Sequence, residues 1–435
     1  MNRFSKFIIA LSLILVLSVG GTVVLYETRI LEDNAISYEK AETRIDSYST
    51  IFLPRGKKLT ILQLTDPQVK YPINNYDKFG GENSNDKTIL MTRRMVDTIK
   101  PDLVVFTGDL VMSQIVNNWP YLQDYADLME ELSVYWTMSF GNHDSEGPYV
   151  FQHTTEDSIF GQESKEILID KLKQYPHCLI SKGDAKEEGG IGNHFINIRD
   201  KSTGDIIYTL CVMDCVFRPY SVDEEYHREK TPAQVAWYER HVNQISDMQY
   251  GVARNDDQVV SSLIFAHVPV PEIFDAYESA FNNGNPTSDY HYGHILEGNP
   301  SGQYLTCTLF EKALELQSTK AMFFGHYHDN DCNVSLNGIN LVFGQHSGLS
   351  HYYRINMSDN EIGGTNYDMT DIFEYGDERG GTLITIQNDG QDYPFSIEQK
   401  LAANTISWND ISIDYPSLYL SLLEESKSQV TGNPQ

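Results

Sequence analysis

His326 and His328 stand two residues apart, directly after the apolar run 321–324, in the stretch "FFGHYHDND". An imidazole offers a nitrogen lone pair near neutral pH and is a common ligand for divalent cations. Four other short apolar runs end in the same manner. Asp66 and Gln68 follow "LTILQLT", and Asp109 follows "DLVVFTG". Asn142, His143 and Asp144 follow "YWTMSFG", and His267 follows "VVSSLIFA". Carboxylates, imidazoles and amides in this mixture make a donor set for two divalent ions. Singly, each is a common turn or strand-end residue. Five runs carrying them in one pattern point to a site.

Such residues work only if the chain gathers them. The runs 59–66, 102–109, 135–144, 206–214, 259–267 and 321–326 are short, rich in β-branched and aromatic residues, and closed by polar or glycine residues. That pattern predicts buried strands. Helices are expected between them at 86–100, 121–133, 231–245 and 305–317, with Thr231-Pro232 as an N-cap followed by proline at the first helical position. Alternating strands and helices indicate an α/β fold, and in α/β sheets ligands gather at the carboxyl ends of strands. Segments 339–345, 381–387 and 394–400 read as further strands with little helix between them, adding an antiparallel face. The stretches 145–190 and 275–304 show few helix or strand signals and read as loops. Residues 31–56 suit a linker or an edge element, 57–400 the main domain, and 401–435 a tail with a terminal helix in "SLYLSLLEES".

Composition narrows the partners. The chain has 435 residues, with 32 Lys plus Arg against 61 Asp plus Glu, a net charge of −29. An acidic surface repels a phosphate backbone, so nucleic acid is not an expected partner. Phe7 to Tyr26 is a run of 20 uncharged residues preceded by Arg3 and Lys6. At about 1.5 Å per residue it reaches roughly 30 Å, one bilayer core. Residues 1–30 are therefore expected to be a signal peptide or a membrane anchor, placing the rest outside the cytoplasm, secreted or membrane-anchored. The five cysteines contain no CxxC pair, which excludes a zinc ribbon; in an exported chain they leave one or two disulfides open. Asn333 and Asn356 begin glycosylation sequons.

The order of the motifs carries a resemblance. Asp66-x-Gln68, Gly108-Asp109, Gly141-Asn142-His143-Asp144, Ala266-His267 and Gly325-His326-x-His328 are similar to the calcineurin-like metallophosphoesterases over about 57–350. "FAHVPVPE" and "QVAWYER" look most like the branch of Dcr2-type and purple-acid-phosphatase-like phosphatases. The resemblance implies a metallophosphoesterase-type β-sandwich flanked by α-helices, with the metal site at the C-terminal ends of strands. It implies two divalent ions, drawn from Mn, Fe, Zn or Mg. Asp66, Gln68, Asp109 and His328 would hold one; Asp109, Asn142, His267 and His326 the other, with Asp109 bridging. It casts His143 as the group that protonates the leaving oxygen and Asp144 as its orienting partner.

The expected reaction is hydrolysis of a phosphate monoester, on a phosphoprotein or a small phosphate ester, by a hydroxide bridging the two ions. A phosphodiesterase acting on nucleotides or lipid head groups, and a non-catalytic metal-binding relative, are the alternatives. Gln68 departs from the family's commonest pattern, which has histidine there, and an amide oxygen is a weaker, neutral donor. Near the site, "DYHYGH" (289–294) is a candidate pocket border, and His346 and Tyr352 in "GQHSGLSHYY" are candidate substrate contacts. Arg93 and Arg94 read as solvated helix residues rather than phosphate clamps, and His194 as a strand histidine.

Overall fold

The structure, a computed structural model, describes residues 34–70, 84–112, 118–145, 164–183, 188–214, 231–282, 287–296, 307–349, 356–358, 366–368 and 378–411. The apolar run 7–26, the expected terminal helix in 417–426 and Tyr352 lie outside them. Among the described residues no helix is long and apolar enough to cross a membrane.

Two sheets form the frame. The larger has nine strands in the order β1 (Ser37–Glu39), β2 (Ser49–Leu53), β8 (His194–Asp200), β9 (Ile206–Met213), β10 (Ser262–Ala266), β12 (Thr319–Phe324), β14 (Ile339–Phe343), β13 (Asn333–Leu336) and β11 (Ser288–Tyr292). The smaller has five, in the order β18 (Phe395–Leu401), β17 (Gly380–Gln387), β3 (Lys58–Leu64), β5 (Leu103–Thr107) and β7 (Tyr135–Ser139). Two short pairs complete the strands, β4 (Val69–Lys70) with β6 (Val111–Met112) and β15 (Asn356–Ser358) with β16 (Asn366–Asp368).

Side chains alternate across each strand, which lets one strand serve two cores. In the larger sheet, Leu263 and Phe265 of β10 and Ala321 and Phe323 of β12 face the smaller sheet. They meet Leu59 and Ile61 of β3 and Leu103 and Val105 of β5 in an intersheet core. The opposite faces pack on helices. Ile264 and Met322 lie against α4 (Pro232–Tyr250), α5 (Glu272–Asn282) and α6 (Leu309–Leu316). Leu62, Leu64, Val104 and Phe106 lie against α1 (Ser84–Ile99), α2 (Trp119–Glu131) and α3 (Lys165–Leu172). The architecture is α/β, a β-sandwich flanked by helices.

The central strands run in one direction. β3, β5 and β7 are mutually parallel, as are β9, β10, β12 and β14. Their carboxyl ends therefore share edges, and the polar residues that close each run come out together. Thr231 caps α4 as its sequence predicts: its hydroxyl accepts from the Gln234 amide while the Gln234 side chain accepts from the Thr231 amide.

The stretches read as loops are not all loops. The helix α3 lies within 145–190, and the end of α5 and all of β11 lie within 275–304. These are short elements, and their burial depends on the sheets they cover. In α3 only Leu168, Ile169 and Leu172 are buried, too few to impose a period on the sequence. α6 is shorter than its expected span, opening at Leu309 and closing at left-handed Gln317. Asn333 is buried in β13 and cannot receive a glycan in the folded chain. Cys178, Cys211, Cys307 and Cys332 are free thiols.

Candidate metal centre

Each candidate ligand sits just past a strand end, and four of the seven sit there in a conformation that ordinary residues resist. Asp66, Gln68, Asp109 and His326 have φ of 53°, 48°, 51° and 76°, the left-handed region that side chains disfavour. Such strain persists only where surroundings enforce it, and it clusters at functional sites. Backbone bonds hold these turns against one another. The amides of Asp66 and Gln68 donate to the carbonyls of Gly108 and Asp109 at 3.2 and 2.9 Å. Gly108 and Gly141 permit the approach: a Cβ on Gly108 would lie 2.7 Å from the Gly141 nitrogen, and one on Gly141 would strike the Asp109 carboxylate.

The side chains converge. One ligand atom from each of Asp66, Asp109 and His267 lies within 4.8 Å of the others. Asp109 Oδ2 is 3.2 Å from His267 Nε2, 3.3 Å from Gln68 Nε2 and 4.0 Å from His143 Nε2. Asp66 Oδ1 is 3.5 Å from His328 Nε2 and 3.9 Å from His267 Nε2. Asn142 Oδ1 is 3.2 Å from His267 Nε2, and the His326 ring lies 5.2 Å from the His267 ring, centre to centre. Gln68 reaches the site with Nε2 facing Asp109 and His328 while its Oε1 is buried without a partner. A half-turn about the amide exchanges the two atoms.

A cation fits this arrangement. Asp66 and Asp109 are each 1% exposed, and Asp66 Oδ1 makes no hydrogen bond. Two buried carboxylates facing one another cost several kcal/mol each unless positive charge lies between them. Imidazole already responds to that demand. Burial works against a charge on His267, but Asp109 and Asp66 outweigh it and raise its pKa to about 9. Burial likewise pushes the Asp109 carboxyl up, yet the His267 and His143 imidazoles hold it well below the usual range.

A proton count follows. His267 Nδ1 donates to the Thr107 carbonyl at 2.8 Å, leaving Nε2 as the ligating atom. Its pKa of about 9 lies above the ordinary histidine value, so Nε2 holds a proton at neutral pH in metal-stripped protein. An ion must displace that proton, so affinity should rise roughly tenfold per pH unit up to about pH 9 and level off above. Calorimetric titration in buffers of different ionisation heat should show close to one proton released at pH 7. Release near zero would contradict the geometry.

Asp144 departs from its expected part. Its carboxylate does not orient the His143 imidazole. Oδ2 accepts from the amides of Asp109 (2.9 Å) and Gly141 (2.7 Å), and Oδ1 from Val111 (3.1 Å). Three main-chain donors occupy both oxygens, so Asp144 ties the Asp109 turn to the 141–144 turn. Burial and the Asp109 charge raise its pKa to about 6. His143 is fixed instead through its backbone, which donates to Asp109 Oδ1 at 2.8 Å, and its side chain is 21% exposed.

Other expectations resolve as follows. The 289–294 segment lies against the loop after His328: the His294 amide donates to Asp331 Oδ1 at 2.6 Å. Arg93 and Arg94 form bidentate pairs with Glu131 and Asp410. His194 is a buried strand residue bonded to Thr137 and Gly192. His346 is 1% exposed, its ring packed against that of His328. Sequence reasoning passed over Asp214, which ends β9 beside His267 and pairs with Lys165 at 2.7 Å. The strand-end rule that found the others would have found it. A cavity of about 400 Å³ lined by Tyr48, Phe195, Trp237 and His241 includes none of the candidate ligands.

The calcineurin-like phosphoesterase model matches residues 59–330, well over half of the chain and all seven candidate ligands. The chain belongs to the calcineurin-like phosphoesterase family. Among curated relatives, it is 23% identical over 290 residues to "Probable inactive purple acid phosphatase 29" of Arabidopsis thaliana, covering 62% of this chain and 65% of that one. It is 25% identical over 285 residues to "Phosphatase DCR2" of Saccharomyces cerevisiae, covering 63% of this chain and 44% of that one. The alignments thus span less than two thirds of those relatives. Among solved structures, a dimetal phosphatase from Danio rerio is 13% identical with a TM-score of 0.40, covering 75% of this chain and 94% of that one.

Proposed function

We propose that this phosphoesterase hydrolyses phosphate monoesters with two divalent ions. The observation that carries the reading is the convergence of Asp66, Asp109 and His267 donor atoms within 4.8 Å, with the partly exposed His143 Nε2 4.0 Å from Asp109 Oδ2. Asp66, Gln68, Asp109 and His328 would hold one ion, and Asp109, Asn142, His267 and His326 the other. Ions so held would supply positive charge toward phosphoryl oxygens and would lower the pKa of water toward neutrality. The chain's own groups do the rest. Asp109 joins the two halves of the donor set. His143 Nε2 donates the proton that the leaving oxygen needs. Asp144 keeps the Asp109 and Asn142 turns in register through the three amides it binds.

The relatives' names support a phosphatase, and three point another way. Proteins described as probable inactive purple acid phosphatases favour a second reading, in which the chain holds metal without turnover. Phosphate release from p-nitrophenyl phosphate and from its bis ester, with metal content measured alongside, separates the readings. The proposal expects faster release from the monoester, lost on chelation and restored by metal. Hydrolysis that survives verified metal removal overturns the mechanism. Preference for the bis ester makes the chain a diesterase. Metal-loaded protein inert toward both makes it a binder.

A further inference from the structure

His346 lies at the end of β14, outside the set of strand ends that deliver the candidate ligands. Its ring nevertheless packs on His328, with centres 4.5 Å apart and planes 37° from parallel. That spacing is close contact for two flat rings. His328 Nε2 then points to Asp66 Oδ1 at 3.5 Å and to the Gln68 amide at 3.1 Å. Thr65 fixes the stack relative to the carboxylate. Its hydroxyl donates to Asp66 Oδ2 at 2.7 Å. Its carbonyl accepts from the Ser347 amide at 2.9 Å and from the Ser347 hydroxyl at 2.6 Å. His346 forms a β-bridge with the same Thr65 and receives the Gly380 amide on its carbonyl at 3.0 Å. Gly348 presses close behind: a Cβ there would lie 2.3 Å from the Pro67 carbonyl oxygen. One residue, Thr65, therefore ties the Asp66 carboxylate to the segment that carries His346.

We propose that His346 is a positioning residue for the ion held by Asp66 and His328, acting by stacking its ring on His328 rather than by ligating. The inference deepens the two-ion reading above and rests on it. The donor chemistry gives the stack its purpose. Gln68 contributes a neutral amide to this half, so binding there leans on Asp66 and on the aim of His328 Nε2. A freely rotating His328 ring would lose that aim, and outer partners of ligating histidines typically contribute 10–100-fold to metal affinity. In the other half the Thr107 carbonyl accepts a hydrogen bond from the His267 ring.

The test is a manganese titration of the full chain and three variants, read by calorimetry and by the number of ions retained after gel filtration. A His328→Ala variant first identifies which of the two binding steps belongs to this half. His346→Ala should weaken that step about 10–100-fold and leave the other within twofold. His346→Phe, which keeps a flat ring and lacks nitrogen, should restore affinity to within about threefold of the unsubstituted chain. His346→Leu fills the space without the ring's flat face; it should fold and bind as weakly as the alanine variant, which keeps the test open if alanine fails to fold. A phenylalanine variant that folds but binds as weakly as leucine overturns the stacking role. Equal weakening of both steps makes His346 merely structural and overturns it too. An unsubstituted chain that binds fewer than two ions overturns the two-ion reading and this inference with it.

Discussion

Asp109→Asn should weaken binding at both ion positions by roughly 10²–10⁴-fold, the cost of removing one member of a buried charged set. The substitution keeps the shape of the side chain. Its oxygen can still accept from the His143 amide, as Oδ1 does now at 2.8 Å. What disappears is the negative charge at Oδ2, which lies 3.2 Å from His267 and 3.3 Å from Gln68, one residue from each half of the donor set. An amide nitrogen there presents hydrogens to a cation. A second signature separates this from general damage. In metal-stripped protein Asp109 is the charge partner that keeps His267 protonated, so the variant should melt lower than the unsubstituted chain before any metal is added. Added manganese should raise the melting temperature of the unsubstituted chain and leave that of the variant unmoved, because only a ligand that binds the native state stabilises it. A variant that retains two ions at unsubstituted affinity would remove Asp109 from the bridge.

The site was legible in the sequence because chemistry and secondary structure coincide there. An apolar run that ends in Gly-Asp, Gly-Asn-His or Gly-His-x-His says both where a strand stops and what it presents. Asp109, Asn142, His326 and His328 needed no more than that; Asp66 and His267, which follow Thr65 and Ala266, were read from the strand end alone. Partners joined across long sequence separations were not legible. Thr65 meets Ser347, and Gln63, a polar residue in an apolar strand, donates to Thr107 and to the Phe324 carbonyl across the two sheets. Nothing local in either stretch records such a pairing. Asp144 misled for a related reason. Its neighbour in sequence is His143, but at the end of β7 the chain turns so that its carboxylate meets the backbone of Asp109 and Val111. The elements hidden from sequence reasoning, α3 and β11 among them, are short. What makes them helix or strand is the sheet beside them, through pairs such as Asp289 with Ser335. Periodicity over so few residues leaves little trace.

His143→Ala should lower turnover by roughly 10²–10⁴-fold, the usual contribution of a positioned general acid, while leaving metal content unchanged. Three features set His143 apart from its neighbours. Its side chain is 21% exposed, whereas those of Asp109 and His267 are nearly sealed. Its Nε2 stands 4.0 Å from Asp109 Oδ2, against 3.2 Å for His267 Nε2. Its main-chain amide donates to Asp109 Oδ1, a bond that truncating the ring leaves in place. The loss should depend on the leaving group. An alkyl phosphate releases a strongly basic oxygen and needs the proton; p-nitrophenyl phosphate releases a weak base and needs it far less. The variant should therefore lose activity toward the alkyl ester by at least tenfold more than toward the nitrophenyl ester. An equal loss on both esters, with two ions still bound, would assign His143 to substrate binding instead. Loss of an ion equivalent would make it a ligand.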